Sequence, residues 1–156
     1  MLDRFDRHLL NCVQRDDGRT AESLAREVPL SPSAIARRLR RLRADGLIAR
    51  TIALLAPRLT QNRVRAIVLV QLSEHADRMG KAALERRLLA ADEVQLCHEV
   101  AGPHDFIALF DCPSIGAFND SAEALLASSP TVRRYETLFI KREVKFAPFV
   151  DLREEG

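Results

Sequence analysis

The chain lacks the features that mark an enzyme, a membrane protein or a disulfide-stapled domain. It has no glycine-rich phosphate loop, no nucleophile motif and no spacing that suggests a serine or cysteine triad. Its three cysteines are an odd set without paired spacing, which points to reduced thiols in a cytoplasm rather than to a disulfide framework. Cys97 and His98 are adjacent, so in a strand they face opposite sides and do not readily share a metal. Cys12 and Cys112 sit in apolar contexts, and His8 and His75 have no partnered spacing. No metal or cofactor is expected. No apolar run approaches the ~20 residues that span a bilayer, and the first residues mix acid and base in a helical pattern unlike a secretory leader. Low-complexity segments are absent, and nearly half of the 156 residues are apolar, as in a globular protein.

What is present is arginine, concentrated on one stretch. Net charge is only +2, but residues 1–50 hold eleven arginines against seven acids, and the remainder is slightly negative. Ser33 to Gly46 carries five arginines and one aspartate. Ile35, Leu39 and Leu42 repeat with the period of one helix face, while Ser33, Arg37, Arg40, Arg41 and Ala44 fall on the other. A solvated charged face would mix signs; a basic one fits a polyphosphate partner.

The elements around it predict two domains. Asp3–Arg15 reads as a helix, with Phe5, Leu9, Cys12 and Val13 on one stripe, and Asp16-Asp17-Gly18 breaks it. Thr20 caps a short helix over Ala21–Glu27. Ser31 and Pro32 start the arginine helix, and Gly46 ends it. Three short helices with a basic third match a helix-turn-helix unit. Leu47–Leu55 reads as extended and Ala56-Pro57-Arg58 as a linker. Beyond it come an apolar strand at Arg65–Leu72, a helix at Asp77–Ala90 offering Met79, Ala83, Leu84 and Leu88 to a core, and an alternating strand through Val94, Leu96, His98 and Val100. Gly102-Pro103 turns into a strand at Asp105–Phe110. A helix at Ser114–Ala127 and a long strand at Val132–Phe146 complete the order βαββαβ. The fold class is α+β: a helix-turn-helix (winged-helix-like) head over residues 1–50, a linker strand and hinge over 51–62, and a ferredoxin-like domain over 63–150.

Several strings, in their order and spacing, resemble the leucine-responsive/asparagine regulator family of transcription factors. They are Leu2-Asp3 with Asp6-Arg7, Gly18-Arg19, Leu24-Ala25, Val28 with Leu30-Ser31-Pro32, Arg38-Leu39, Leu42 and Gly46-Leu47-Ile48. In the second half they are Glu93-Val94, Cys97-His98, Val100 with Gly102, Asp105-Phe106, Val132, Thr137 and Val144-Lys145. The resemblance implies a DNA-binding head, an effector-binding and assembly domain, and dimers that often build tetramers or octamers. It also implies a cytoplasmic, nucleoid-associated location. Two positions depart from the family pattern. Pro29 stands where the family usually has glycine, and proline cannot take a left-handed conformation, so the turn between the helices must have another geometry. Pro103 stands where an acidic or polar residue is usual.

The expected partners are double-stranded DNA and a small effector, an amino acid or similar metabolite. In a helix-turn-helix the second helix of the motif enters the major groove with its N-terminal part against base edges. That directs Ser33, Ala34 and Arg37 to bases, with Arg37 able to grip guanine through two parallel bonds. Arg40 and Arg41 are directed to phosphates. Ser31 reads as a phosphate contact or as the helix cap. Arg38, nearer the apolar side, reads as a DNA contact or as an ion pair within the head. The resemblance nominates Gly102, His104, Asp105, Thr137, Leu138 and Phe139 for the effector, with Asp105 receiving an ammonium group or, alternatively, bonding backbone amides of its turn. An enzyme resembling the sirohaem decarboxylases, which share this architecture, and a nucleoid protein of low sequence preference are the competing readings.

Overall fold

The computed structural model describes residues 2–152, which form two compact units. One holds the chain up to Leu54 together with the residues from Lys145 onward; the other is Leu55–Val144.

The first unit is built on three helices. α1 (Arg4–Val13) starts on a reciprocal cap, in which the Asp3 carboxylate accepts from the Asp6 N–H at 2.8 Å and Asp6 reaches back to the Asp3 N–H. α2 is Ala21–Leu24, capped by Thr20. It stops short of the expected Glu27, because residues 25–28 tighten into turns that bring Val28 inward. α3 (Pro32–Ala44) is capped by Ser31, whose hydroxyl accepts from the Ala34 N–H at 3.3 Å. The turn before it contains no left-handed residue. The Leu30 N–H instead donates to the Val28 carbonyl at 2.7 Å, a three-residue turn centred on Pro29 that suits its fixed φ. Leu9, Leu24, Val28, Ile35 and Leu42 are fully buried together, as the helical periodicity predicts. Residues 47–56 form neither helix nor strand, and Leu47, Ile52, Leu54 and Leu55 are exposed. Within this single chain the segment pairs with no other strand among the described residues, and extended backbone alone makes no ladder. A single 3₁₀ turn at Pro57–Leu59 follows.

The second unit runs β1 (Val64–Leu72), α4 (Arg78–Ala90), β2 (Val94–Glu99), β3 (Phe106–Cys112), α5 (Ile115–Ala122) and β4 (Val132–Phe139). Asp77 and Ser114 cap the two helices, and α5 continues as a π-helical stretch at Glu123–Ala127. The strands form one antiparallel sheet in the order β2-β3-β1-β4, the ferredoxin-like arrangement. Both helices pack on one face. Ala66, Val68 and Val70 of β1 and Phe106, Ala108 and Phe110 of β3 meet Leu84, Leu88, Phe118 and Leu126 there. Met79, expected in this core, is 80% exposed; α4 turns only its Leu84–Leu88 stripe inward.

Two strands differ from their sequence reading. β2 carries a register shift between Val94 and Leu96. Val94 therefore lies opposite Phe110 on the helix face, whereas Leu96 and His98 lie opposite Leu109 and Ile107 on the other. β4 ends at Phe139 rather than Phe146. The Ile140 N–H donates to the Arg65 carbonyl at 2.8 Å, and β1 begins at Val64, so little neighbouring strand remains to continue the ladder.

Candidate nucleic-acid interface and ligand-binding domain

The five arginines of α3 divide into two sets. Arg38, Arg41 and Arg43 are tied to the head. Arg38 Nη1 donates to Asp3 Oδ2 at 2.6 Å and to Asp6 Oδ1 at 2.8 Å. Arg41 Nη2 donates to the other Asp6 oxygen at 2.5 Å. Asp6 is only 1% exposed, so its charge is matched by two guanidinium groups that bridge α1 to α3. Arg43 Nη2 donates to Asp17 Oδ1 at 2.5 Å, and the second Asp17 oxygen accepts from Thr51 Oγ1 at 2.9 Å. The Asp3 carboxyl is held below the usual carboxylate range, first by the Asp6 N–H it caps and then by Arg38. Arg37 and Arg40 are exposed and carry no hydrogen bond or ion pair among the described residues.

The structure thus gives Arg38 its ion-pair role and gives Arg41, expected to face a phosphate, a partner inside the head. Ser31 caps the helix and lies 3.1 Å from the Ser33 hydroxyl. Ser33 is exposed and Ala34 half-buried at the helix start. Sequence reasoning missed Asp6 and Asp17 as anchors. The only local trace of the first was its pairing with Asp3 at cap spacing; the contacts to α3 come from more than 30 residues away.

The expected effector residues fall in three places. Gly102, at φ +150°, leaves open space where a side chain would project. Asp105 anchors the end of the β2–β3 hairpin to β1: its N–H donates to the Val70 carbonyl at 2.8 Å, and its Oδ2 accepts from the Leu72 N–H at 2.8 Å. His104 Nε2 is 3.7 Å from Glu136 Oε1 on β4. Thr137 and Phe139 line a cavity of about 380 Å³ with Phe118, Asn119, Glu123 and Tyr135; the Phe118 and Phe139 rings meet edge to face at 5.3 Å. Leu138 points the other way, opposite Ile67 on the sheet face turned away from α4 and α5. Within one chain, then, only Thr137 and Phe139 are brought together in that cavity. Burial raises the Cys12 and Cys112 thiols above their ordinary values, which leaves them protonated and inert at neutral pH. Among the described residues no helix is long and apolar enough to cross a membrane.

Family models match both halves: a winged helix-turn-helix DNA-binding model over residues 2–49 and the Lrp/AsnC ligand binding domain over residues 65–148. The chain belongs to the Lrp/AsnC family of transcription regulators. A leucine-responsive regulatory protein of Salmonella typhimurium is 31% identical over 147 residues, covering 92% of this chain and 87% of that protein. A transcriptional regulator of Neisseria meningitidis, solved as a complex with L-methionine, superimposes with a TM-score of 0.84 at 24% identity over 95% of each chain. An AsnC family regulator of Agrobacterium tumefaciens gives 0.83 at 24% identity over 96% of each. This Lrp/AsnC protein is accordingly a DNA-binding regulator whose second unit is the family's ligand-binding domain, and the solved structures share its fold.

Proposed function

We propose that this regulator acts as a homodimer, reads the major groove through the unpaired arginines of α3, and responds to a free amino acid held by its ligand-binding domain. It works by binding and not by catalysis. The division of the α3 arginines carries the reading. A merely solvated helix has no reason to pair three guanidinium groups and leave two bare on one side. Arg38 and Arg41 act as positioning residues: through Asp6 they hold α3 against α1. Arg37, in the N-terminal half of α3, serves as the base contact, and Arg40, one turn further, as the phosphate contact. Ser33 and Ala34 border the bases. The two heads of a dimer would meet half-sites about one helical turn (~34 Å) apart.

Competition across a randomised half-site tests this. Arg37→Ala is expected to erase preference at one base position and to weaken binding by ~1–3 kcal/mol. Unchanged specificity would reject the base contact.

For the effector, Asp105 supports an ammonium site. Its Oδ2 is taken by the Leu72 N–H, while Oδ1 has no hydrogen-bond partner among the described residues. Gly102 beside it lets a ligand approach the backbone closely. The L-methionine in the Neisseria meningitidis complex makes methionine the first probe. A thermal-shift screen of the twenty amino acids is expected to find one that raises the melting temperature. Calorimetry on Asp105→Ala is expected to show its binding lost; equal affinity in both proteins would remove Asp105 from the site.

A further inference from the structure

Within the head, a strip of the C-terminal tail lies along α1. Gln14 holds one tail residue twice: its Nε2 donates to the Val150 carbonyl, and its Oε1 accepts from the Val150 N–H at 2.9 Å. Asn11 takes the residue two further on, its Oδ1 accepting from the Leu152 N–H at 3.0 Å while its Nδ2 donates to Asp151 Oδ1 at 3.2 Å. Gln14 Nε2 also donates to Asn11 Oδ1 at 3.0 Å, which fixes the two amides relative to each other. The Arg15 guanidinium covers the Phe149 ring at 4.1 Å, and Leu152 packs against the apolar core of the head. Backbone groups of alternate residues are engaged from one side, as a sheet edge engages an added strand; here two side-chain amides take the part of the edge.

This contact matters because of where it lies in the chain. β4 ends at Phe139, and the residues from Lys145 onward belong to the head unit. The chain therefore joins the two units twice, once through the irregular, exposed stretch before Leu55 and once through the tail. A flexible linker lets a domain pivot. A second attachment made of directed hydrogen bonds restricts that motion before DNA arrives, so less orientational freedom is lost on binding.

We propose that Phe149–Leu152 is a strap that docks on α1 and, by tethering each head a second time, sets the half-site spacing at which paired heads grip DNA. The proposal rests on the reading of the protein as a dimer that binds two half-sites.

The test uses full-length protein, the double variant Asn11→Ala/Gln14→Ala, and Val150→Pro. The proline variant removes the N–H given to Gln14 without touching α1. Anisotropy is measured on single half-sites and on pairs whose separation is stepped by one base pair, and hydrogen exchange is followed at residues 150 and 152. The native protein is expected to show one sharp spacing optimum and protected amides at both positions. In Val150→Pro, single-site affinity is expected to stay within about twofold, paired-site affinity to fall about tenfold, and the optimum to broaden. Loss of single-site binding confined to the double variant marks damage to α1, and Val150→Pro then decides. A native protein that gains nothing from a second half-site overturns the dimeric reading and this proposal with it. A native gain and spacing profile that both variants keep, or unprotected amides at 150 and 152 in the native protein, overturns the strap alone.

Discussion

Asp6 shows how one side chain assigns roles to others. A carboxylate buried to this degree is costly unless paired and hydrogen-bonded, and Arg38 and Arg41 meet that need from α3. Asp3 completes the cluster at the surface and caps α1. Because the folded Asp3 carboxyl sits below the ordinary value of 3.8, its charge stabilises the head fully above the unfolded value, and that contribution is lost as pH falls through the folded one. Asp3→Asn keeps a capping oxygen but removes the charge. Its melting temperature is expected to lie below that of the native protein at pH 7, with the gap closing below about pH 4. A gap that persists at acid pH would mean that the charge contributes nothing. The basic face and its neighbour Arg38 were legible at this scale. Which arginines were spoken for was not, because Asp3, Asp6 and Asp17 lie far away in sequence.

At the scale of elements, local chemistry carried most of the reading. Ser31, Asp77 and Ser114 cap helices where their hydroxyl or carboxylate oxygens precede apolar stripes. Gly46 ends α3 at φ +71°: its N–H donates to the Arg43 carbonyl at 3.1 Å, and the Leu47 N–H donates to the Leu42 carbonyl at 3.0 Å. Nothing lies within 4 Å of a Cβ added there, so Gly46→Ala is expected to lower stability by the backbone strain alone, ~1–2 kcal/mol. Thermal or denaturant unfolding checks this, and no change would mean the loop relaxes. Elements went astray where a neighbouring strand decides. The register shift in β2 moves Val94 onto the helix face, and β4 stops where β1 runs out of partners. Neither event leaves a mark in residue alternation.

Within the second unit α4 and α5 pack on one face of the sheet and leave the other to its strands alone. Ile67, Leu69, Leu96, Ile107, Leu109 and Leu138 share that open face by register. Apolar side chains gathered this way favour burial against a second copy. For the homodimer proposed above, Leu138→Asp is therefore expected to shift the protein toward monomer in analytical ultracentrifugation and to weaken DNA binding by loss of the second head. An unchanged sedimentation profile would place the interface elsewhere.

The sequence by itself determined the helices, the strand order and the basic face of α3, because periodicity, caps and turns act over a few residues of contiguous chain. Tertiary structure alone decided which arginines remain available to a ligand, which side of the sheet each strand residue faces, and that the tail returns to α1. Those outcomes depend on groups far apart in sequence competing for the same partners once the core has closed.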